Sequence, residues 1–478
     1  MKVCLLNDSF PPVIDGVANV VLNYAGIMTE EKMADVMVGT PKYPGAEYHS
    51  YPYYVVPYPS FDTTKIVKGY RAGYPVNIPE LRDMIDFKPD IIHTHCPVAS
   101  TYLARILKGA NDAPVIFTYH TKFDEDIARA VKSEFIQKET IKVLVNNIES
   151  CDEVWTVSEG AAENLKSLGY TGKYRVMGNG VDFEKGRSDA ETVKRVTGAY
   201  DLPEGVPVFL FVGRMISYKG VPIILDALEK LKKMDIDFRM VLIGSGADLP
   251  IFKKTVEDKN LKDKCIFTGP IYDRNELKAW NTRADLFIFP STYDTNGIVV
   301  REAAACGLAS VLVKGSCAAE GITDDRNGFL IEQNADSLSE MLSKLAKDIP
   351  HMKDVGQHAM DEIYISWNDS VHAAFERYNE ILELKKAGKF EGRQMSWQDQ
   401  IMEMPYEILA ETTKQLSKQS RKFDSMIDNV EEFSKNVENE INETMWNAYS
   451  DIKHAAKSFY ENVSDFKDDI KDFIKDKK

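Results

Sequence analysis

The sequence lacks paired cysteines. Its six, Cys4, Cys96, Cys151, Cys265, Cys306 and Cys317, stand far apart, and none forms a C-x-x-C pair. Disulfide and zinc frameworks are therefore excluded as organising features, and buried reduced thiols are expected. Long apolar runs are also lacking: nothing approaches the ~18 residues that cross a bilayer. Val3–Leu6 is too short for a signal-peptide core and runs into Asn7-Asp8. A cytoplasmic location is expected, with peripheral contact at the inner face of the cell membrane left open. Positive charge is short as well. The 59 Lys and Arg against 74 Asp and Glu give a net charge of -15. That argues against nucleic acid as a partner and weakens general attraction to anionic lipid. Finally, proline and glycine are absent from Tyr406 to the end.

What is present is a globular composition, 44% hydrophobic and 28% charged. A chain of 478 residues predicts two or three domains. Short β-branched runs at Val3–Leu6, Val36–Val38, Val55-Val56, Ile91-Ile92, Val115–Phe117 and Glu153–Val157 read as strands. Helical patterns such as Val17–Met28 and Phe135–Ile148 lie between them. That alternation predicts a parallel sheet covered on both faces. A polar break follows near Phe183–Gly205. The pattern then restarts with strands at Val208–Val212, Met240–Ile243, Cys265–Thr268 and Leu286–Phe289, and a helix at Ile223–Met234. The chain thus reads as two Rossmann-like domains in series, with a ligand cleft where the strands' carboxyl ends face each other. The predicted limits are 1–182 and 200–364, with a tail over 394–478.

Chemistry concentrates in loops that follow strands. Pro290–Gly307 contains Asp294, Gly297 and, in a helix predicted over Val299–Cys306, Glu302. A loop acid, a glycine and free N–H groups at a helix start suit a polyol that carries phosphates. Asp294 as a helix cap and Glu302 as a solvated helix residue remain an equal alternative from spacing alone. Gly213–Gly220 follows Val208–Val212 and brings Arg214 and Lys219 to one loop, where they could neutralise a departing diphosphate; two exposed surface cations are the plain alternative. Phe10–Asn19 places Gly16 before the first long helix. Thr118–Thr121 places His120 at a strand's carboxyl end. His93 and His95 also end a strand, but no acid or thiol joins them at ligand spacing, so packing or hydrogen bonding is expected instead of a metal site.

Together these segments resemble glycosyltransferase family 4, which has the GT-B fold. The resemblance runs from Met1 to about Lys385. It includes Asn179-Gly180-Val181-Asp182, Gly213-Arg214 with Lys219-Gly220, Gly244-Ser245-Gly246, Asp294 with Glu302-Ala303, and Trp367-Asn368 with the helix after it. The resemblance implies that Arg214 and Lys219 hold the donor diphosphate and Glu302 the ribose. Asp294 would face the sugar beside the backbone of Asn296, Gly297, Ile298 and Val299. His120 would reach the sugar from the opposite domain, Gly16 would line the diphosphate, and Ile271 would meet the base. Residues 365–387 would cross back onto the first domain. The family retains anomeric configuration, and its favoured mechanism needs neither a metal nor an enzymic base. Two departures stand out: Asp294 where the family usually has Glu, and Asp15-Gly16 where it usually has paired glycines. Phe10–Ala18 and Thr118–Asp126 resemble the acceptor-side segments of diacylglycerol glucosyltransferases, which use UDP-glucose at a membrane. The alternatives are transfer to a soluble or cell-wall sugar, and a non-catalytic sugar-binding scaffold.

The tail carries two heptad series, Leu409, Leu416, Phe423, Val430, Val437 and then Met445, Ile452, Phe459, Phe466, Phe473. Sustained spacing of this kind predicts an amphipathic helical or coiled-coil extension, suited to self-association or a protein partner, with membrane contact as the second reading.

Overall fold

A computed structural model describes residues 1–13, 15–62, 71–73, 78–130 and 132–392, the side chains of 78, 125, 126, 129 and 130 excepted. The helical extension expected over 394–478 lies outside the described residues, as does Ile14 of the N-terminal loop.

The first half builds strands β1 (Lys2–Leu6), β2 (Asp35–Pro41) and β3 (Tyr54–Tyr58). A two-stranded ribbon follows, β4 (Ser60–Asp62) and β5 (Arg71–Gly73). Then come β6 (Ile91–Thr94), β7 (Val115–Tyr119), β8 (Glu153–Thr156) and β9 (Arg175–Val176). All but the ribbon form one parallel sheet in the order β3-β2-β1-β6-β7-β8-β9. The second half builds β10 (Val208–Val212), β11 (Arg239–Ile243), β12 (Cys265–Gly269), β13 (Leu286–Phe289), β14 (Ser310–Val313) and β15 (Phe329–Ile331). They form a second parallel sheet, β12-β11-β10-β13-β14-β15. Both are doubly wound, and the strand order reverses beside β1 and beside β10, where such sheets present ligands. The central strands are buried along their length, as in Val115–Tyr119 and Leu286–Phe289, because helices cover both faces.

The polar stretch near Phe183–Gly205, read as a break, contains a helix, Ala190–Thr197. Asp189 caps it by accepting from the Thr192 N–H at 2.8 Å. Val196 packs against the second core. One turn of apolar contact between two glycines gave too little period to see.

The chain passes between the halves a second time. Helix Trp367–Lys386 starts in a capping box, with Ser366 and Asp369 satisfying each other's backbone N–H. It sinks Trp367, Val371, Ala374, Tyr378 and Ile381 into the core of the first sheet, beside Val3, Leu5 and Trp155. At the crossing, Val181 bridges Ser366 in parallel, and Trp367 Nε1 donates to Asp182 at 2.8 Å. Gly180 is needed here, since a Cβ on it would stand 2.3 Å from the Trp367 nitrogen.

Candidate active site

The loop after β13 gathers the first set of groups. Asp294 does not cap the helix that follows. Its carboxylate is ion-paired with Lys219 and accepts from the Ser291 hydroxyl at 2.7 Å. Lys219 lies on a single 3-10 turn, Ser217–Lys219, and is only 8% exposed. A buried ammonium is tolerable only with such a partner. Arg214, on the same loop, is exposed and forms no side-chain hydrogen bond or ion pair among the described residues. Of the two loop cations, therefore, one is built into the interior and one is left to solvent. The loop itself is stitched to its neighbour: the Met215 N–H donates to the Ser245 carbonyl at 2.9 Å.

Gly297 adopts the left-handed conformation at φ 61° and opens helix Ile298–Ala305. A Cβ there would meet Ala318 at 2.9 Å, so the loop has no room for another residue. Asn296 is buried. Its Oδ1 accepts from Arg301 at 3.2 Å, while its Nδ2 has no partner among the described residues. An unmet buried donor beside this loop is what a ligand oxygen would satisfy.

Glu302, one turn into that helix, is 6% exposed and so is no solvated surface residue. Burial raises its pKa, and the guanidinium of Arg274, paired with it, opposes that rise. Arg274 also stacks 4.4 Å over the Phe183 ring and lies 3.5 Å from Asp182. Ile271, in the loop after β12, is half-buried against the second core.

From the first domain, Asp15 caps helix Gly16–Glu30, accepting from the Val17 and Ala18 N–H groups at 2.9 and 2.7 Å. This explains the acid where paired glycines were expected: the carboxylate occupies the helix's own donors. Gly16 begins that helix, with open space where a side chain would stand. His120 ends β7. Its Nε2 lies 3.0 Å from His95 Nδ1, and burial lowers its pKa to about 3, so the ring is neutral. His93 is held by Tyr378 and Thr118, each at 2.6 Å. Among the described residues no group of three His, Cys, Asp or Glu side chains is placed to hold a metal.

The two domains meet at these loops. Thr295 Oγ1 donates to the His120 carbonyl at 2.6 Å, and Lys122 Nζ to the Thr292 carbonyl at 3.3 Å. Glu320 accepts from the Glu159 N–H at 2.8 Å. The loop carrying Asp294 is thereby fastened to the strand end carrying His120. No hydrogen bond or ion pair among the described residues joins Gly16 or Arg214 to the Lys219–Asp294 pair.

Two family models match the chain in the order of its two sheets. One, described as Glycosyltransferase Family 4, matches residues 14–185, and another, described as Glycosyl transferases group 1, matches residues 195–361. Together they take in well over half of the sequence. The chain belongs to the family 4 glycosyltransferases. Its fold is GT-B. The chain is similar to alpha-monoglucosyldiacylglycerol synthase of Streptococcus pneumoniae, 24% identical over 370 residues, covering 76% of this chain and 81% of the relative. It is similar to the enzyme of that name from Acholeplasma laidlawii, 22% identical over 393 residues, 77% of this chain and 98% of the relative. Among solved structures, Anabaena Alr3699/HepE in complex with UDP matches at TM-score 0.63 and 16% identity, over 80% of this chain and 100% of that one. Sucrose-phosphate synthase from Thermosynechococcus elongatus matches at TM-score 0.64 and 19% identity, over 80% and 99%.

In this family 4 glycosyltransferase, four residues at the site were not singled out from the sequence. Arg274 pairs with Glu302, Ser291 steadies Asp294, Thr295 reaches His120, and Glu320 joins the domains. All four are polar side chains in or beside loops, and only their partners, far away in sequence for all but Ser291, give them meaning.

Proposed function

We propose that this glycosyltransferase transfers glucose from UDP-glucose to diacylglycerol at a membrane surface, with retention of anomeric configuration. The observation that carries the reading is the buried Lys219–Asp294 pair beneath the loop that Thr295 fastens to His120. A cation beside an anion at the junction of two Rossmann-like sheets suits a donor with a diphosphate at one end and a hydroxyl-rich sugar at the other.

In the proposed step, the bond between the sugar's anomeric carbon and the diphosphate oxygen breaks. The acceptor hydroxyl oxygen attacks the same face of that carbon. Its proton passes to the departing phosphate oxygen, and UDP leaves. Lys219 and Arg214 offset the negative charge growing on the diphosphate, which leaves a divalent metal no necessary part. Glu302 accepts from the ribose hydroxyls, Ile271 meets the base through its backbone, and Gly16 leaves room for the diphosphate. Asp294 and the backbone of Asn296–Val299 orient the sugar, and His120 contacts it from the opposite side.

A lipid acceptor is supported by the two synthases of Streptococcus pneumoniae and Acholeplasma laidlawii, whose names carry diacylglycerol. It is supported also by helix Glu134–Glu149, which leaves Phe135 74% exposed with Ile136 and Val143, flanked by exposed Lys138 and Lys142. Apolar side chains with lysines beside them suit a membrane interface. Among the described residues no helix is long and apolar enough to cross a membrane.

The test is transfer of labelled glucose from UDP-glucose by the full chain, offered diacylglycerol in vesicles and, separately, soluble sugars. Formation of an α-linked glucolipid is expected. Transfer to soluble sugars alone would replace the acceptor. UDP binding with neither transfer nor hydrolysis would favour a sugar-binding scaffold.

A further inference from the structure

The second sheet has a cavity at its other end. Asp285 precedes β13, so it stands at the amino end of the strand whose carboxyl end feeds the Asp294 loop. Its Oδ2 accepts from the Val208 N–H at 2.9 Å, at the amino end of β10. Beside it lies a cavity of about 230 Å³ whose lining includes Arg187, Asn281, Arg283, Asp285 and Lys353. A neighbouring hollow of about 560 Å³ shares Arg187 and Arg283 with it.

Three cations face one acid here, and the acid does not use them up. Arg283 Nη1 and Lys353 Nζ each stand 3.9 Å from Asp285, too far for hydrogen bonds. Arg187 is fixed by its backbone partners: Nε donates to the Cys306 carbonyl at 3.3 Å and Nη2 to the Gly307 carbonyl at 3.2 Å. Nη1 is left over. Asn281 is 2% exposed, yet its Oδ1 has no hydrogen-bond partner among the described residues, while its Nδ2 donates to the Leu277 carbonyl at 2.9 Å. A buried amide oxygen without a donor is a cost unless something supplies one.

We propose that this cavity binds a small phosphorylated polyol, distinct from the sugar donor. The phosphate lies among Arg187, Arg283 and Lys353, where charge-assisted hydrogen bonds are strongest. A hydroxyl of the same molecule donates to Asn281 Oδ1 or to Asp285. A bare anion would leave the amide oxygen unmet and would face Asp285 with no compensating donor. The polyol therefore explains the acceptors as well as the cations.

The experiment is calorimetric titration of the full chain saturated with UDP, so that the donor cleft is filled. The probes are a hexose 6-phosphate and inorganic phosphate. The hexose phosphate is expected to bind with one site per chain, on the order of tenfold or more tighter than inorganic phosphate, the worth of one or two added hydrogen bonds. Lys353→Glu, at a half-exposed position, should weaken it on the order of tenfold or more without disturbing the fold. Arg187→Gln should weaken it further, with UDP binding retained as the check on folding. Absence of hexose phosphate binding at millimolar concentration overturns the proposal. So does equal affinity for the two probes, which would mark a simple anion site, and so does binding that Lys353→Glu leaves unchanged.

Discussion

Lys219 and Asp294, 75 residues apart in sequence, form an ion pair of which each side chain is mostly buried. The cation proposed for the diphosphate and the anion proposed for the sugar neutralise each other. The ammonium has three donors and Asp294 takes one, so two remain for phosphate oxygens.

Lys219→Ala combined with Arg214→Ala should lower turnover by roughly 10²–10³ for each electrostatic stabiliser removed. The check is steady-state turnover with UDP-glucose in a double variant whose thermal unfolding matches the parent. Undiminished turnover would remove both residues from the leaving-group role.

Asp294→Asn should separate two functions. The amide still fills the volume but loses the charged hydrogen bond proposed to the sugar. Glucose transfer should fall steeply, while UDP affinity holds or rises because Lys219 is freed for phosphate. Parallel measurement of turnover and of UDP binding by calorimetry decides it. A matching loss in both would make Asp294 a support of the loop.

Glu302→Gln should weaken UDP by on the order of tenfold, since the carboxylate proposed to accept from ribose hydroxyls is replaced by an amide. Burial raises the Glu302 pKa and Arg274 counters it. Arg274→Ala leaves the burial without its counter-charge, so Glu302 should take up a proton more readily and UDP affinity should fall as pH drops below neutrality. UDP titrations of Arg274→Ala at several pH values test this; affinity flat with pH would show the pairing to be incidental.

If Arg214 and Lys219 supply the positive charge as proposed, chelation should leave transfer intact. Turnover after exhaustive treatment with a chelator is the measurement. Loss restored only by Mg²⁺ or Mn²⁺ would assign the leaving-group charge to a metal.

Acid should destabilise the first domain through its histidines. Burial lowers the pKa of His93, His95 and His120, that of His120 to about 3. The unfolded chain takes up these protons near pH 6.5 and the folded chain does not. Stability is therefore undiminished above pH 6.5 and is lost as pH falls below it. For His120 the loss runs on toward pH 3, at up to roughly 1.4 kcal/mol per pH unit per histidine. Urea unfolding between pH 7 and 5 should show this slope, and His120→Gln should reduce it. An unchanged slope in that variant would show that His120 carries its proton in the folded chain.

Much of the scaffold was legible because parallel strands buried on both faces need unbroken β-branched and aromatic runs. Val115–Phe117 and Leu286–Phe289 could be little else. Lys219, Asp294 and Glu302 could be singled out because a strand's carboxyl end directs the next loop to the cleft. What was not legible is pairing across elements. Nothing in the order of residues says that Asp294 meets Lys219, or that Arg274 covers Glu302. That Asp294 is not a helix cap turned on one torsion angle at Gly297 and one ammonium on another loop. Helix Ala190–Thr197 was missed for a related reason: its buried side is a single turn.

The crossing at Gly180 and Trp367 has a mechanical meaning. The chain leaves the first domain and returns to it at the same place, so two strands of backbone run side by side through a gap with no space for a methyl group. Such a junction resists stretching and shearing but tolerates twisting about its own line. A turn of one sheet against the other about this line would leave both cores whole. Opening the cleft to release product would require the polar latches at Ser158, Thr295, Lys122 and Glu320 to break, with the crossing serving as the pivot.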